Sequence, residues 1–375
     1  MSANDSFLPY GRQIIDDDDV AAVVEILRSG WLTTGPAVER FEADICAYTG
    51  AQYGVAVSNG TAALHAAMFA LDIRPGDEVI VPPITFAASA NCILYQGGTP
   101  VFADVQPDTL LLDPTAAEAA VTPRTKAIIA VDYAGHPCDW DALRTIATKH
   151  HLALVADGCH ALGGTYKGRK VGTLADITAF SFHPVKQITT GEGGMAVTDD
   201  ERLAARMRAF HGHGITTTAS QREKSGAWFY EMRELGYNYR ITDFQCALGS
   251  CQLKKLDTWI AKRNELGRRY DAAFAGQDIV RPLKRRADVL HAYHLYVVRT
   301  RKRNAVFKDM RAKGIGVNVH YVPVYQHPYY QQIGYKKNIC PVAEGAYEEI
   351  LTLPLWPGLS AENIDRIATL LTERG

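Results

Sequence analysis

The sequence lacks the features that mark three large classes of protein. None of its 375 residues falls in an uninterrupted apolar run of about 18, the length that a membrane-spanning helix needs. Its formal net charge of -1 provides no general field to attract nucleic acid or an anionic membrane. The N-terminus, MSANDSFLPYGRQ, has neither the basic nor the apolar segment of a secretory signal. We therefore expect a soluble, cytoplasmic protein that binds neither nucleic acid nor membrane.

Cysteine is too scattered to build a disulfide framework or a zinc site. The seven cysteines form an odd set without CxxC spacing, mostly in apolar or small-residue contexts: Cys46, Cys92, Cys138, Cys159, Cys246, Cys251 and Cys340. This pattern predicts buried free thiols in a reducing compartment. His211 and His213, in the string HGHG, resemble a metal pair, but two histidines without other clustered ligands are poor evidence for a metal site. We predict a loop near the functional site there, and no metal.

The strongest positive signal surrounds Lys186, at the centre of DITAFSFHPVKQITTGEGGMAVT (176–198). An apolar segment precedes the lysine, and three glycines follow it before a second apolar segment. This pattern predicts two buried strands joined by a turn that carries the lysine. Partial burial can lower the pKa of an amine enough to make it a useful nucleophile, although a lone turn lysine is more often simply solvated.

Two further segments predict groups that a phosphorylated cofactor needs. The apolar run Leu152–Ala156 predicts a strand that ends in Asp157, at the edge where open α/β sheets bind ligands, although an acid there could equally cap a turn. In YGVAVSNGTAALHAAMFAL (53–71), a strand, a small-residue turn and a helix follow one another. The free N–H groups at the helix start and the Thr61 hydroxyl would hold a phosphate, although an ordinary capped helix has the same pattern. This turn contains neither GxGxxG nor GK[ST], so it is neither a dinucleotide fingerprint nor a P-loop.

A nucleophilic lysine, an acid at a strand end and a phosphate-binding turn are together what pyridoxal phosphate requires, as partners for its aldehyde, its pyridine nitrogen and its phosphate. At these residues the chain resembles the DegT/DnrJ/EryC1/StrS family of pyridoxal-phosphate-dependent sugar aminotransferases, which have the aspartate-aminotransferase fold (fold type I). The resemblance covers nearly the whole chain, and its string SFHPVKxITTGEGG is highly specific. The matching segments are SNGTAALH, PPITFAASAN, VDYAGHP, ADGCHALGG, SFHPVKQITTGEGG, ELGYNYRITDFQCALG and GVNVHYVPV.

The resemblance implies a role for each matching residue. Lys186 is the catalytic residue, which forms a Schiff base with the cofactor; Phe86 stacks on the pyridine ring, His160 faces the phenolic oxygen and Ser181 bonds the phosphate. The cofactor-binding residues are Gly60, Thr61, Ala62, Phe86, Asp157, His160, Ser181 and Asn238. The substrate-binding residues are Tyr10, Gly30, Trp31, Leu32, Thr33, His183, Arg240, His320 and Tyr321. Without the resemblance, Phe86 and His160 could equally be core residues.

Aromatic residues crowd around Asn238 and Arg240: Trp228, Phe229, Tyr230, Tyr237 and Tyr239. So many aromatics indicate an interface rather than a free loop. In the family, the asparagine of the GYNYR string reaches the phosphate of the neighbouring subunit. The resemblance therefore implies a homodimer with active sites built from two chains.

Strands that alternate with helices predict an α/β fold, with a mostly parallel mixed sheet between helices, followed by a smaller α+β unit. We place the boundary near residue 255, so that 1–255 holds the N-terminal substrate arm and the large cofactor-binding domain and 256–375 forms the small C-terminal domain. The acidic run Asp16–Asp19 predicts a helix start, because acids favour a helix N-terminus. The pattern also predicts a helix over Asp243–Trp259, a strand over Gly316–Tyr321 and a helix over Val342–Ile350.

Within the family, the matching sequence segments most resemble those of the aminotransferases of the pseudaminic acid pathway. The implied reaction moves an amino group from L-glutamate, leaving 2-oxoglutarate, to C4 of a UDP-linked 4-keto-6-deoxy N-acetylhexosamine. Pyridoxamine phosphate is the intermediate cofactor form, and Lys186 moves the proton between the donor Cα and the cofactor.

Three alternatives remain. The same chemistry could act on another nucleotide 4-keto sugar, of the UDP-4-keto-arabinose, GDP-perosamine or dTDP-sugar type, because contacts worth about 1–3 kcal/mol separate such substrates. Some relatives are sugar dehydrases, but these carry histidine where this chain has Lys186. The chain could also be a nucleotide-sugar binding or regulatory protein on an aminotransferase scaffold, although intact Lys186, Asp157 and Ser181 favour an enzyme.

Overall fold

The computed structural model describes residues 7–217, 222 and 225–372. Its largest sheet runs, in spatial order, β1 (Tyr53–Val57), β9 (Gly194–Thr198), β8 (Ile177–Ser181), β5 (Ala153–Asp157), β4 (Thr125–Val131), β2 (Glu78–Val81) and β3 (Thr99–Phe102). Strand β9 is antiparallel to both of its neighbours, whereas the other pairs are parallel. The predicted α/β class with a mostly parallel mixed sheet is therefore confirmed.

Two apolar cores lie on opposite faces of this sheet, because successive side chains of a strand point to opposite sides. In β4, Ala127 and Ile129 belong to one core, and Ile128 and Ala130 belong to the other. The helices of the N-terminal two thirds are α1 (Asp17–Arg28), α2 (Pro36–Thr49), α3 (Gly60–Ala70), α4 (Ala88–Tyr95), α5 (Pro114–Ala119), α6 (Trp140–His150) and α7 (Glu201–His211). A strand buried on both faces reads as a continuous apolar run, and this is the pattern of the β5 sequence.

The acidic run begins α1 as predicted. The Asp16 side chain accepts from the Asp19 backbone N–H at 3.1 Å, and the Asp19 side chain accepts from the Asp16 backbone N–H at 3.2 Å. This reciprocal capping satisfies two N–H groups that the helix itself cannot bond. Lys255 then pairs with both carboxylates, at 2.5 and 2.9 Å, and ties the helix to the start of the C-terminal third.

The C-terminal third has its own apolar core, formed between Leu266 and Leu371. A three-stranded sheet of order β10 (Arg281–Pro282), β12 (Tyr296–Arg299) and β13 (Ile350–Leu353) lies in this region. A second small sheet joins β11 (Val289–Leu290) to β6 (Thr165–Tyr166) and β7 (Arg169–Lys170). The helices are α8 (Asp243–Leu253), α9 (Leu256–Ala273), α10 (Arg303–Ala312), α11 (Pro328–Gln332), α12 (Pro341–Tyr347) and α13 (Ala361–Thr372). The exact domain boundary remains a prediction.

Three predicted elements of this third were wrong. The helix expected over Asp243–Trp259 is divided, because α8 ends at Leu253 and α9 starts a new helix at Leu256. The helix expected to reach Ile350 ends at Tyr347, since the buried β13 pairs along its length with β12.

The predicted strand Gly316–Tyr321 is extended chain instead. Its hydrogen bonds are divided between two partners: the Gly316 N–H donates to the Leu8 carbonyl of the N-terminal arm, and Asn318 forms an isolated bridge with Thr352. A segment that exchanges only one pair of bonds with its neighbour does not form a ladder.

The seven cysteines are free thiols in the structure, and four of them are buried: Cys92, Cys138, Cys246 and Cys340. No helix within 7–217, 222 and 225–372 has both the length and the apolar character needed to cross a membrane.

Candidate active site

A cavity of about 800 Å³ lies where β5 and β8 end and α3 begins. Open α/β sheets bind ligands in this position, outside the carboxyl ends of the strands. Most of the residues singled out from the sequence line it: Tyr10, Gly60, Thr61, Ala62, Phe86, Asp157, His160, Ser181, His183, Lys186, His320 and Tyr321. Side chains that are far apart in the sequence therefore meet at one concave surface.

Lys186 lies in the predicted turn between β8 and β9. Its backbone N–H donates to the His183 carbonyl at 2.9 Å, which fixes the turn. Its Nζ lies 3.4 Å from Nε2 of His294. Burial lowers the pKa of the Lys186 amine, and the nearby Cys159 and Asp157 oppose this effect. Lowering the pKa increases the neutral, nucleophilic fraction of the amine at a given pH.

Asp157 ends β5 and is only 5 % exposed. The Ser89 hydroxyl donates to its Oδ2 at 2.6 Å, and the Cys159 backbone N–H donates to its Oδ1 at 3.2 Å. No lysine or arginine in the described residues forms a salt bridge with this carboxylate. A buried carboxylate with two neutral donors remains available to a cationic group of a ligand.

The turn before α3 has the geometry of an anion site. The Asn59 side chain caps the helix by accepting from the Ala62 N–H at 2.8 Å. Of the three predicted residues, Gly60 and Thr61 therefore keep their backbone N–H groups for a ligand, because the first N–H groups of a helix have no intrahelical partner. A Cβ on Gly60 would lie 2.9 Å from the Ser181 Cβ, so glycine is what lets this turn approach Ser181 so closely.

His160 is held in one tautomer by its neighbours. The backbone N–H of Ala134 donates to Nδ1 at 3.3 Å, so the ring proton is on Nε2, which lies 3.2 Å from the Tyr321 hydroxyl. Burial first, and then the positive charge of Lys186 and the proximity of His320, place the pKa of His160 well below its usual range. The imidazole is therefore neutral at physiological pH and presents an N–H donor to the cavity.

The cavity mouth carries larger and more exposed side chains. Phe86 is 59 % exposed, and its ring centroid lies 6.2 Å from that of Tyr321. The Tyr10 ring, on the N-terminal arm, lies 5.0 Å from the ring of His320. His320 Nδ1 is 2.8 Å from the Thr352 hydroxyl, and its carbonyl accepts from the Tyr133 hydroxyl. An open aromatic face above a polar floor suits a flat ring.

Six predicted residues do not line the cavity of this chain: Gly30, Trp31, Leu32, Thr33, Asn238 and Arg240. All six are exposed. The first four form a loop that joins the start of α8 through a bridge between Thr33 and Thr242, and the other two flank Tyr239. Their predicted contacts with ligand remain predictions.

The structure adds residues that the sequence did not reveal, chiefly Ser89 beside Asp157 and His294 beside Lys186. The string ASAN placed Ser89 one turn after Phe86, but nothing in it indicated the carboxylate. His294 was expected to begin a strand of the small domain, His294–Arg299, but it lies before β12, and nothing in that pattern indicated a contact with the lysine.

The two histidines of the HGHG string do not belong to a cluster of three or more possible metal ligands in the part of the chain that the structure describes. His211 Nδ1 donates to the Arg208 carbonyl at 2.5 Å, and burial lowers the His211 pKa to about 4. His213 is exposed. This loop stands next to Asn238, through the bridge from Gly212.

Comparison with known proteins identifies the molecule. The sequence model of the DegT/DnrJ/EryC1/StrS aminotransferase family matches residues 13–372. The chain belongs to this family. It is 44 % identical to the spore coat polysaccharide biosynthesis protein SpsC of Bacillus subtilis, over 96 % of this chain and 95 % of that protein.

Solved structures agree with the family. The putative sugar aminotransferase Spr1654 of Streptococcus pneumoniae in its PMP form has a TM-score of 0.93 and 35 % identity, covering 98 % of each chain. PseC of Helicobacter pylori, an aminotransferase involved in pseudoaminic acid biosynthesis, has a TM-score of 0.92 and 32 % identity, again over 98 % of each chain. Spr1654 also has a PLP form. The protein is thus a sugar aminotransferase of fold type I, and pyridoxal phosphate is its cofactor.

The residues present fit this cofactor. Lys186 offers a partly buried amine of lowered pKa, and Asp157 offers a carboxylate that pairs with no lysine or arginine in the part of the chain that the structure describes. The close approach of Gly60 to Ser181 leaves a cradle that a Cβ would fill. These three features would supply groups for the aldehyde, the pyridine nitrogen and the phosphate.

Proposed function

We propose that this enzyme transfers an amino group from L-glutamate to C4 of a UDP-linked 4-keto-6-deoxy N-acetylhexosamine, in the biosynthesis of a surface glycan of the pseudaminic acid type. The observation that carries the proposal is the partly buried Lys186 amine facing the same cavity as Asp157. The names of PseC and SpsC, which associate those relatives with glycan biosynthesis, support the class of product.

Lys186 performs the proton transfers. Because burial favours its neutral form, Nζ can take a proton from the donor Cα and later return one to the carbon that becomes C4 of the amino sugar. When bound, pyridoxal phosphate supplies the electron sink for the charge that develops as that proton leaves. Asp157 holds a negative charge at the end of β5, where a protonated pyridine nitrogen is stabilised, and Ser89 keeps the carboxylate in place.

The sugar nucleotide would lie toward the mouth. A cavity of about 800 Å³ has room for a ligand beyond the cofactor, since ligand pockets range from about 300 to 1,000 Å³. His183, Tyr10 and Tyr321 present polar groups there. Lys186 is the only lysine or arginine among the described residues that line the cavity, so a diphosphate would need cations from elsewhere.

A second copy of the chain would supply them. The segment around Asn238 is the most exposed apolar part of the described surface, with Trp228 at 86 % exposure and Phe229, Tyr230, Met232 and Leu235 also exposed. Exposed apolar patches of this kind mark interfaces. We propose a homodimer in which Asn238 and Arg240 of each chain, with the loop Gly30–Thr33, complete the neighbouring site. Seven free thiols suit the reducing cytoplasm, where we place the reaction.

The test is a panel of nucleotide 4-keto sugars assayed with glutamate, with 2-oxoglutarate release as the readout. The UDP-linked 4-keto-6-deoxy N-acetylhexosamine should give the highest kcat/KM, and each donor amino acid can be compared with glutamate on that sugar. Preference for a GDP- or dTDP-linked ketone, or for UDP-4-keto-arabinose, would show that the sugar assignment is wrong while leaving the transamination intact.

A further inference from the structure

His294 is the polar side chain in contact with the Lys186 amine, yet the proposed chemistry gives it no role. Its Nε2 lies 3.4 Å from Nζ, it is 5 % exposed, and it lines the cavity directly before β12. Its ring centroid lies 4.3 Å from that of His160. The contact joins residues 108 positions apart, so it depends on the C-terminal third being folded against the large sheet.

The groups that face this imidazole favour its neutral form, in which one ring nitrogen is free to accept a hydrogen bond. They are Lys186, His160 and His320 around the cavity and Arg263 from α9; none is a carboxylate. Burial, followed by these neighbours, places the pKa of His294 well below its usual range. The other ring nitrogen, Nδ1, is buried without a hydrogen-bond partner. Because Nδ1 is buried without a partner, Nε2 is the nitrogen through which this imidazole can form a hydrogen bond in the cavity.

We propose that His294 is a positioning residue for Lys186: its neutral Nε2 accepts a hydrogen bond from Nζ and holds the lysine in place during the intervals when it carries a proton. The inference rests on the proposed function, because it concerns the same lysine. When Nζ has taken a proton from the donor Cα, it is an ammonium in a buried site, and an unpaired buried charge is costly. A bond to Nε2 stabilises that ammonium and keeps it aimed into the cavity until the proton returns to carbon. Between the two transfers the proton stays on Nζ and is not passed to His294, so no other acid or base is required.

This assignment predicts the behaviour of two variants. His294→Leu removes the acceptor, whereas His294→Gln keeps a side-chain carbonyl of similar reach. Because the hydrogen bond favours the charged form of the amine, its loss should lower the pH midpoint at which Lys186 becomes reactive by about one unit, and His294→Gln should stay near wild type. The readout is the rate at which cofactor-free full-length protein takes up pyridoxal phosphate, followed by absorbance across a pH series.

A second readout follows the glutamate half-reaction in a single turnover. His294→Leu should slow it by about tenfold to a hundredfold, with little change in the glutamate concentration that gives half the maximal rate, because proton transfer and not donor binding is affected. His136→Leu is the control, since His136 is another buried histidine and lies outside the cavity. It should leave both the midpoint and the single-turnover rate unchanged.

The possible outcomes distinguish a failure of the His294 assignment from a failure of the proposed function. An unchanged midpoint in His294→Leu, or equal shifts in His294→Leu and His294→Gln, would overturn the assignment and leave His294 a packing residue. Failure of the wild-type protein to react with glutamate would refute the proposed donor instead, and the uptake titration would still test His294. Retention of the melting temperature within a few degrees in both variants shows that misfolding is not the cause of any change.

Discussion

The two ends of the cavity differ in how much of the site one chain supplies. At the floor, Asp157, Ser181 and Lys186 come from the ends of buried strands and the turn that follows, and each has fixed partners within the chain. At the mouth, Phe86 is open to solvent, and Asn238 and Arg240 lie outside the cavity of this chain, exposed on its surface. The difference indicates that one chain supplies the groups at the floor, whereas in the proposed homodimer recognition of the sugar nucleotide depends on a second copy.

Exposure follows the same division. A floor residue such as Asp157 is buried and held by sheet and side-chain hydrogen bonds, while Trp31 is exposed on a loop outside the sheet, and hydrogen bonds to Asp243 join that loop to α8. Precise placement benefits bond making, and an exposed loop can vary with the ligand. Changes at the floor should therefore affect rate, and changes at the mouth should affect substrate choice and assembly.

The largest effect should come from Lys186→Ala. Without the amine that moves the proton, turnover should fall by about 10⁴-fold or more, while the remaining floor residues still bind cofactor. The measurement is 2-oxoglutarate release, beside an absorbance spectrum of the purified variant. Borohydride should bleach the yellow wild-type protein irreversibly. Near-normal transamination by the variant would show that the lysine takes no part in the mechanism. The distinction between a catalytic floor and a binding mouth would then be wrong.

Asp157→Asn should have the next largest effect. It keeps the shape of the side chain but removes the charge that stabilises a protonated pyridine nitrogen, so we expect a loss of about 10²- to 10³-fold in the glutamate half-reaction. Ser89→Ala is the matched comparison. It removes one neutral hydrogen bond to the same carboxylate and should cost about tenfold or less. Equal losses in the two variants would mean that the position of the acid matters and its charge does not.

These two residues also show what the sequence can and cannot reveal. Asp157 ends an apolar run and Lys186 lies in a glycine-flanked turn, so local pattern identified the strands and turns that carry them. Ser89 and His294 contact them from 68 and 108 positions away. Pairing over such distances is decided by how helices and strands pack, and no local pattern encodes it.

The success of the fold prediction also differs between the large sheet and the C-terminal third. Alternation of apolar strands and helices was enough to predict the large sheet, because a strand buried on both faces has a distinctive composition. The errors occurred in the C-terminal third. The short chain 316–321 and the junction between Leu253 and Leu256 are determined by competition between neighbours, namely the N-terminal arm, β13 and the ion pairs of Lys255, and not by their own sequences.

Dimers that combine two different inactive variants test whether the mouth of each site is completed by the neighbouring subunit. Asn238→Ala and Lys186→Ala should each be nearly inactive alone, but unfolding and refolding them together should restore about a quarter of wild-type activity. Half of the dimers are then mixed, and each mixed dimer has one site in which both residues are intact. No recovery in mixtures that sedimentation shows to contain dimers would mean that Asn238 serves its own chain or none. Catalytic activity in a monomer would contradict the shared site altogether.

The smallest effect concerns stability and pH. Burial lowers the pKa of His160 well below that of an unfolded chain, about 6.5, so as the pH falls below about 6.5 the unfolded state binds the proton before the folded state does. Folded-state stability from this group is therefore present above pH 6.5 and is lost as the pH falls. Asp132, whose pKa burial raises to about 7, acts in the opposite sense, so the total slope mixes both.

A variant that lacks the imidazole separates the contribution of His160 to the pH dependence of stability from that of the other groups. His160→Gln, on the floor, should flatten the fall of unfolding free energy between pH 6.5 and 5 by up to about 1.4 kcal/mol per pH unit. Denaturant unfolding of the wild type and the variant at several pH values measures the slope. An unchanged slope in His160→Gln would show that burial does not set the proton affinity of this histidine, because only a group that folding removes from water can shift its proton affinity in this way.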